Sequence, residues 1–172
     1  MKKILNCILC LWLFSSCSSD SSDEENGILE PNFKFVISGA INTTMSGMGI
    51  IYNENTTQVV NADGEDVDIT TILVIAQDKD SDNHVIFGVT KEGSKVGTGN
   101  YDIGTDISTY YNAFMNFSGD RGKTVSYQSE SGSISFDSRL LLTSGAVNVN
   151  CPGVGGGGTL TVQGDFQAES IN

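Results

Sequence analysis

The sequence has few basic residues and no helical periodicity, and both features restrict what it can encode. Nine Lys and Arg face 21 Asp and Glu, which gives a formal charge of −12. A surface of this charge repels phosphate backbones, so we expect no nucleic-acid partner. No segment repeats apolar residues at the spacing of a helix face behind a capping residue. Only residues 106–115 are long enough to consider, and their Thr and Tyr content favours a strand.

Cysteine is also scarce, and three of the four cysteines fall within the first 17 residues. Lys2 and Lys3 precede an apolar run over residues 4–14 that only Asn6 interrupts. This run matches the apolar region of a secretory signal and is too short to cross a bilayer, which needs about 20 residues. Two small serines then lead into Cys17. The segment therefore predicts export rather than a part of the fold.

The four residues "FSSC", which end at Cys17, resemble the lipobox of bacterial lipoproteins. Phe14 departs from that family's pattern, which usually has Leu or a similar aliphatic residue there. The resemblance implies that residues 1–16 are removed and that Cys17 is lipidated on its sulfur and its amino group. An ordinary signal peptide cleaved nearby is the alternative. After cleavage before a lipidated Cys17, Cys151 is the only unmodified thiol, so no internal disulfide can form.

The acidic stretch "SSDSSDEEN" follows Cys17 directly, and we assign residues 17–31 to a tether. The stretch is similar to the tether that sends Bacteroidota lipoproteins across the outer membrane, which implies a lipid-anchored protein at the cell surface. A disordered spacer is the alternative, because serine and acid cannot bury enough apolar surface to fold. Loss of residues 1–16 removes two lysines and no acid, so the charge becomes −14 and the lipid must supply the anchoring. The residues that would carry the export signal are Asp20, Asp23, Glu24 and Glu25.

The remaining residues, 32–172, are predicted to form one domain. Apolar and polar residues alternate between frequent turn signals, which predicts an all-β antiparallel β-sandwich, with a Greek-key order left open; a small β-barrel is the alternative. The segment "DITTILVIAQ" (68–77) is apolar on both faces, so we expect a central strand buried from two sides, in a hairpin with "HVIFGVT". The other predicted strands are "FKFVISG", "MGIIY", "GTGNYDIG", "TYYNAFMNFS", "TVSYQSESG", "SISFDS", "RLLLTSGAVNVN" and "TLTVQGDFQAES".

Three short motifs between residues 97 and 170 carry a second resemblance. They are "GTGNYDIG", "TVSYQSESGSISF" and the closing "VQGDFQAES", which is similar to a glycine-x-phenylalanine ending. Together they resemble a group of small Bacteroidota lipoproteins of unknown function. This resemblance implies an all-β domain and brings no known activity with it.

The segment "DKDSDN" is the best metal candidate. Asp78, Asp80 and Asp82 alternate as in calcium loops, where oxygen ligands come from every second residue. A complete EF-hand loop would have Gly and Glu at its sixth and twelfth positions, where this sequence has Asn83 and Val89. We therefore expect a solvated hairpin tip and assign no cofactor, with calcium as the alternative. A second acidic loop, "NADGEDVD", would favour calcium if the two loops met in space.

Two single residues invite a catalytic interpretation. His84 is the only histidine and Cys151 the only free thiol, but they are far apart in sequence and no motif pairs them for nucleophilic catalysis. The glycine-rich "CPGVGGGG" (151–158) precedes a strand rather than the helix that a phosphate-binding loop requires, so we expect a flexible loop. We expect no enzyme.

The leading hypothesis is a non-catalytic protein that binds a ligand or an envelope partner, and a structural or assembly role in the envelope is the alternative. A glycan-binding module or an enzyme stands third. Sugar sites stack aromatic faces against sugar rings, but the only tryptophan, Trp12, lies in the leader. Tyr110 and Tyr111 are adjacent, so a strand would point them to opposite faces. The tyrosines that remain for such a site are Tyr52, Tyr101 and Tyr127.

Overall fold

The chain folds into β-strands. A computed structural model describes residues 29–106, 109–119 and 125–171, and these ranges contain no helix. The strands are β1 (Asn32–Gly39), β2 (Thr43–Gly47), β3 (Ile50–Val60), β4 (Asp66–Gln77), β5 (His84–Glu92), β6 (Gly99–Asp102), β7 (Gly104–Asp106), β8 (Tyr111–Gly119), β9 (Val125–Gln128), β10 (Ser131–Arg139), β11 (Thr143–Pro152) and β12 (Thr159–Ser170).

The strands form one sheet that folds over into two halves. The first half has the order β2-β1-β12-β11-β10-β6. The second half has the order β3-β4-β5-β8, with β7 and β9 both beside β8. The halves meet at a corner, where the last residues of β12 pair in parallel with Ile51 and Tyr52 of β3.

This arrangement confirms the predicted all-β sandwich, because the sheet is not closed into a barrel. The neighbouring strands are mostly consecutive in the chain, as in β3-β4-β5 and β10-β11-β12. The order is therefore that of a meander, and the Greek-key order that the sequence left open is not found. The hairpin predicted between "DITTILVIAQ" and "HVIFGVT" is present as β4 and β5, in register from Ile69–Glu92 to Gln77–His84.

Aromatic side chains fill the space between the two halves. The ring of Phe87 on β5 lies 5.0 Å from that of Phe166 on β12 and 6.1 Å from that of Phe35 on β1, in edge-on arrangements. Phe136 on β10 packs edge-on against Phe166 at 5.9 Å. All four rings are fully buried. Because successive strand residues point to opposite faces, the apolar residues at alternating positions form this core.

Strand β4 differs from its prediction on one point. It is central, between β3 and β5, but only one of its faces is fully buried. Ile72 and Val74 point into the core and have no exposed surface. Leu73 and Ile75 point away from the core and are half-buried. The expectation of burial from two sides was wrong, because no second layer from the described part of the chain covers the outer face.

The segment "RLLLTSGAVNVN" also differs from its prediction. It was expected to be one strand, but the apolar residues at its start form the turn between β10 and β11. Leu140 and Leu141 are 85% and 84% exposed. The strand begins only at Thr143, where pairing with Ala168 of β12 starts. The apolar run at the start of this predicted strand therefore lies at a hairpin tip.

Candidate functional site

The predicted lipidation site and export signal lie outside the described residues, which begin at Leu29. Lipidation and surface export therefore stay predictions. These residues are Cys17, Asp20, Asp23, Glu24 and Glu25.

The acidic hairpin tip connects β4 to β5, and its first aspartate has a structural role. Asp78 is buried, and its carboxylate accepts hydrogen bonds from the backbone N–H of Ser46 at 3.1 Å and the hydroxyl of Ser81 at 2.6 Å. Asp80 and Asp82 are exposed. Within the described ranges, no three His, Cys, Asp or Glu side chains come together as a metal site would require. Asp78 therefore fastens the tip to β2 and is not aligned with the other two aspartates.

An open depression of about 530 Å³ lies beside this tip. Asp80 and Asp82 form part of its wall, and Ile41, Thr43 and Phe117 form another part. The carboxylates come from one loop only, so the depression does not gather acidic groups from separate elements.

The second acidic loop lies far from the first. It joins β3 to β4, where the side-chain oxygen of Asn61 accepts the backbone N–H groups of Asp63 and Glu65, each at 2.9 Å. The two loops therefore flank opposite ends of β4, which is 12 residues long. At about 3.3 Å per residue, they are separated by roughly 35–40 Å. They cannot converge on one ion.

His84 and Cys151 lie in different halves of the sheet. His84 begins β5 at the edge of the outer surface, with its Nδ1 atom 3.3 Å from the carbonyl oxygen of Asp82. Cys151 on β11 is fully buried in the core, and this burial raises the pKa of its thiol to about 12. A neutral thiol in an apolar core is not a nucleophile. The two residues do not form a catalytic pair.

The glycine-rich segment forms the loop between β11 and β12. The backbone N–H of Gly153 donates to the carbonyl of Gly158 at 2.7 Å, and the Tyr127 hydroxyl donates to the carbonyl of Gly157 at 3.3 Å. The loop leads directly into β12. No helix N-terminus follows within the described residues, so the amide arrangement of a phosphate-binding loop is not formed.

The tyrosines considered for sugar binding do not form an exposed platform. Tyr127 is buried, and Tyr52, Tyr101 and Tyr111 pack against the core. Burial raises the pKa of the Tyr101 hydroxyl, which donates to the carbonyl of Gly97 at 3.0 Å. Stacking on a sugar ring would require a ring face that these packed tyrosines do not offer.

A charged pair at the corner between the halves was missed in the sequence. Arg139, at the end of β10, contacts the carboxylate of Glu54 on β3 at 2.5 Å, and its guanidinium lies 5.3 Å from the Tyr52 ring and 5.6 Å from the Phe136 ring. The other oxygen of Glu54 accepts the backbone N–H of Val96 at 2.9 Å. Glu54 points inward in the same alternation as Ile50 and Tyr52. A charged residue at an inward-facing position of a strand is the sequence signal that could have indicated this pair. The pair links the two halves through residues that are 85 positions apart in sequence.

The outer surface of the second half carries a group of apolar side chains. We define the apolar face as Ile51, Leu73, Ile75, Ile86 and Phe114, which are half-buried and point away from the core. The registers place Ile51 and Ile86 on either side of Ile75. The outward positions around them hold Asn, Thr, Gln and Gly. Ionisable side chains lie at its borders, with His84 and Glu92 at the two ends of β5 and Glu169 of β12 beside Ile51.

Gly88 is required in the middle of this face. It lies between Leu73 on β4 and Phe114 on β8. A Cβ atom placed there would come within 2.3 Å of the Ile72 carbonyl oxygen, so the close approach of the two backbones permits only glycine. The ring of Phe114 and the side chain of Leu73 therefore flank a residue that has no side chain.

The outer surface of the first half has the opposite character. We define the polar face as Ser133, Ser135, Asn148, Gln163 and Asp165, which line a shallow depression of about 230 Å³ together with Asn100. Hydrogen bonds between side chains continue along the same surface, from the Thr161 hydroxyl to Asn150 at 2.9 Å and from Asn150 to the Ser131 hydroxyl at 3.3 Å. Polar side chains on this surface therefore donate to and accept from one another.

Comparisons with known proteins do not supply an identity. No protein-family model, no curated protein and no solved structure matches the chain. The resemblance to Bacteroidota lipoproteins therefore stays a prediction. The described ranges contain no helix that is long and apolar enough to span a membrane.

Proposed function

We propose that this chain is a non-catalytic lipoprotein of the outer membrane, exposed at the cell surface, which binds a protein partner of the envelope through the apolar face. The apolar face carries the proposal. Its large side chains are uncharged, and two of them, Leu73 and Ile75, lie on β4, whose apolar pattern is typical of burial on both sides. Interface centres are depleted of charge and enriched in such residues. A partner would provide the second layer that the described chain does not.

The chain is strongly acidic, so an uncharged patch on its surface indicates the kind of partner that could cover it. The mature chain carries 14 more acids than bases, yet the apolar face has none of these charges. A partner can therefore cover Leu73, Ile75 and Ile86 without desolvating an ionised group, which would be costly. An uncharged contact surface on an acidic domain favours a partner that presents a matching apolar surface.

The non-catalytic part of the proposal is supported by the roles of the reactive side chains. Asp78 is used in loop structure, and Cys151 is neutral and buried. His84 contacts the carbonyl of its own loop. Each has a structural explanation, and the three lie at separate places in the fold.

The test compares Leu73→Lys with Asn148→Lys. Leu73 lies in the centre of the apolar face and Asn148 on the polar face, so each change adds one charge to a sheet surface. Envelopes would be solubilised in mild detergent and the native size of the lipoprotein measured by gel filtration. We expect the wild type and Asn148→Lys to elute as a larger complex than Leu73→Lys. Equal sizes for all three proteins would overturn the proposal.

A glycan-binding module is the second candidate, and the polar face favours it. Amide and hydroxyl groups from Ser133, Asn148 and Gln163 line one depression, and sugars are bound through such groups. Screening the purified domain on a glycan array, with Asn148→Ala as the control, tests this candidate. Sugar binding that Asn148→Ala abolishes would favour it over the protein partner.

A further inference from the structure

A second group of apolar residues lies apart from the apolar face, at one end of the first half. β1 begins there, β2 and β12 end there, and the β10–β11 turn is there as well. The registers show this directly: Asn32 pairs with Gln167, Phe33 with Gly47, and Thr143 with Ala168. We call this end the N-terminal end.

Exposed apolar side chains are concentrated at the N-terminal end. Of the nine large apolar residues exposed in the described ranges, five lie there. The other four, Val36, Val60, Tyr110 and Val154, are scattered over the rest of the surface. Leu140 and Leu141 are the most exposed of all nine, at 85% and 84%. We call the five residues at the N-terminal end the apolar end; they are Leu29, Met48, Leu140, Leu141 and Ile171.

The position of Leu29, the first described residue, indicates what could cover the N-terminal end. The first described residue is Leu29, which lies twelve positions after Cys17 in the sequence. Fully extended, twelve residues reach at most about 40 Å. Strand β11, which carries the leucine tip, is two strand spacings from β1, or roughly 10 Å. A lipid on Cys17 would therefore hold the apolar end within reach of the bilayer.

We propose that Leu140 and Leu141 insert into the membrane that holds the lipid anchor, so that the domain contacts the bilayer with its N-terminal end. This inference rests on the lipid anchoring proposed above. Two exposed leucines at a hairpin tip can insert at the boundary between the lipid headgroups and the acyl chains, where apolar side chains are buried without a transmembrane segment. Insertion would orient the domain and point the opposite end, with the glycine-rich loop, away from the membrane.

The absence of tryptophan from the mature chain makes this inference testable with one probe. The only tryptophan, Trp12, lies in the predicted leader, so Leu141→Trp would carry the sole indole of the mature protein. Val154→Trp is the matched control, because Val154 is also exposed, at 57%, and follows the other end of β11. The exposed positions make both substitutions compatible with folding, which a thermal melt would check.

The lipidated protein would be reconstituted into phosphatidylcholine vesicles with and without brominated acyl chains. We expect brominated lipid to quench Leu141→Trp about twofold more than Val154→Trp, because a side chain roughly 5–10 Å deep in the boundary lies near the bromines. Adding Leu140→Asp to Leu141→Trp should return quenching to the control level.

Equal quenching of the two tryptophan variants would overturn the inference. So would a blue-shifted emission of Leu141→Trp without quenching by brominated lipid, which would indicate contact with protein instead. The intact mass of the same sample separates this result from the proposed function. An acylated Cys17 with an unquenched tip would leave the anchor standing and remove only the insertion, whereas an unmodified Cys17 would overturn both.

Discussion

The two halves of the sheet bury the same kinds of side chain on their inner faces, but their outer faces differ. In the first half the outward positions of the polar face hold Ser, Asn, Gln and Asp, and hydrogen bonds join neighbouring polar side chains on the same surface. In the second half a group of Ile, Leu and Phe side chains lies among uncharged polar residues, and ionisable side chains lie at its borders. The first half shows that this chain can place polar side chains along a sheet surface that faces solvent. The second half therefore needs a different explanation, and a contact surface supplies it.

The largest expected effect is the difference in stability between removing an aromatic ring from the inner face of the second half and removing one from its outer face. Phe87→Ala removes a ring that packs between the halves, so we expect it to lower the free energy of unfolding by about 3–5 kcal/mol. Phe114→Ala removes a ring of the same size from the half-buried apolar face and should cost about 1 kcal/mol. Urea denaturation of both variants measures the difference. Similar losses would mean that the apolar face contributes to the core of the isolated domain.

The next effect concerns the link between the two halves. Glu54→Ala removes the carboxylate that pairs with Arg139. Two nitrogens of the Arg139 guanidinium, Nε and Nη1, already have no hydrogen-bond partner among the described residues. We expect a loss of about 3 kcal/mol in the free energy of unfolding, because an uncompensated buried charge is destabilising.

The control for this pair is the double variant Glu54→Leu with Arg139→Met. It removes both charges and keeps the volume, so it should remain within about 1 kcal/mol of the wild type. A double variant as unstable as Glu54→Ala would show that packing rather than charge explains the loss.

Cys151 gives the first half a pH-dependent signature. Because burial raises the folded pKa of this thiol to about 12, folding favours the neutral form. Its contribution to stability is complete below the unfolded pKa, near 8.5, and is lost as the pH rises toward the folded value. We expect the wild type to lose about 1.4 kcal/mol more per pH unit than Cys151→Ala in the window above pH 9. Parallel pH profiles for the two proteins would show that the thiol is not buried in this way.

The smallest effects lie in the acidic tip between β4 and β5, which Asp78 joins to β2 of the first half. Asp78→Ala removes the acceptor for Ser46 and Ser81, so we expect a loss of about 1–2 kcal/mol. Asp80→Ala, on the exposed side of the tip, should change the stability by less than about 0.5 kcal/mol.

Calcium provides the matching ligand test for this tip. Thermal melts in chelator and in millimolar calcium should give the same midpoint for the wild type. A rise of several degrees that Asp80→Ala removes would assign a calcium site to Asp78, Asp80 and Asp82 instead.

The sequence was sufficient for the fold class and for the β4–β5 hairpin, because the alternation of apolar residues reports local direction. It left open whether the two acidic loops meet in space, which the fold of the chain between them decides. It could not show that the outer face of β4 lacks a covering layer, because a two-sided apolar pattern is the same whether the cover comes from this chain or from a partner. The Glu54–Arg139 contact depends on how the sheet folds at its corner. The leucines of the β10–β11 turn were misassigned because periodicity does not locate a hairpin.

The most direct test of the central claim is site-specific photo-crosslinking on intact cells. A photoreactive amino acid at position 73 would probe the apolar face, and the same amino acid at position 148 would probe the polar face. We predict a discrete protein adduct from position 73 that is lost when Ile86→Lys is added, and no such adduct from position 148. No adduct at position 73, or equal adducts at both positions, would contradict the assignment of the apolar face as the binding surface.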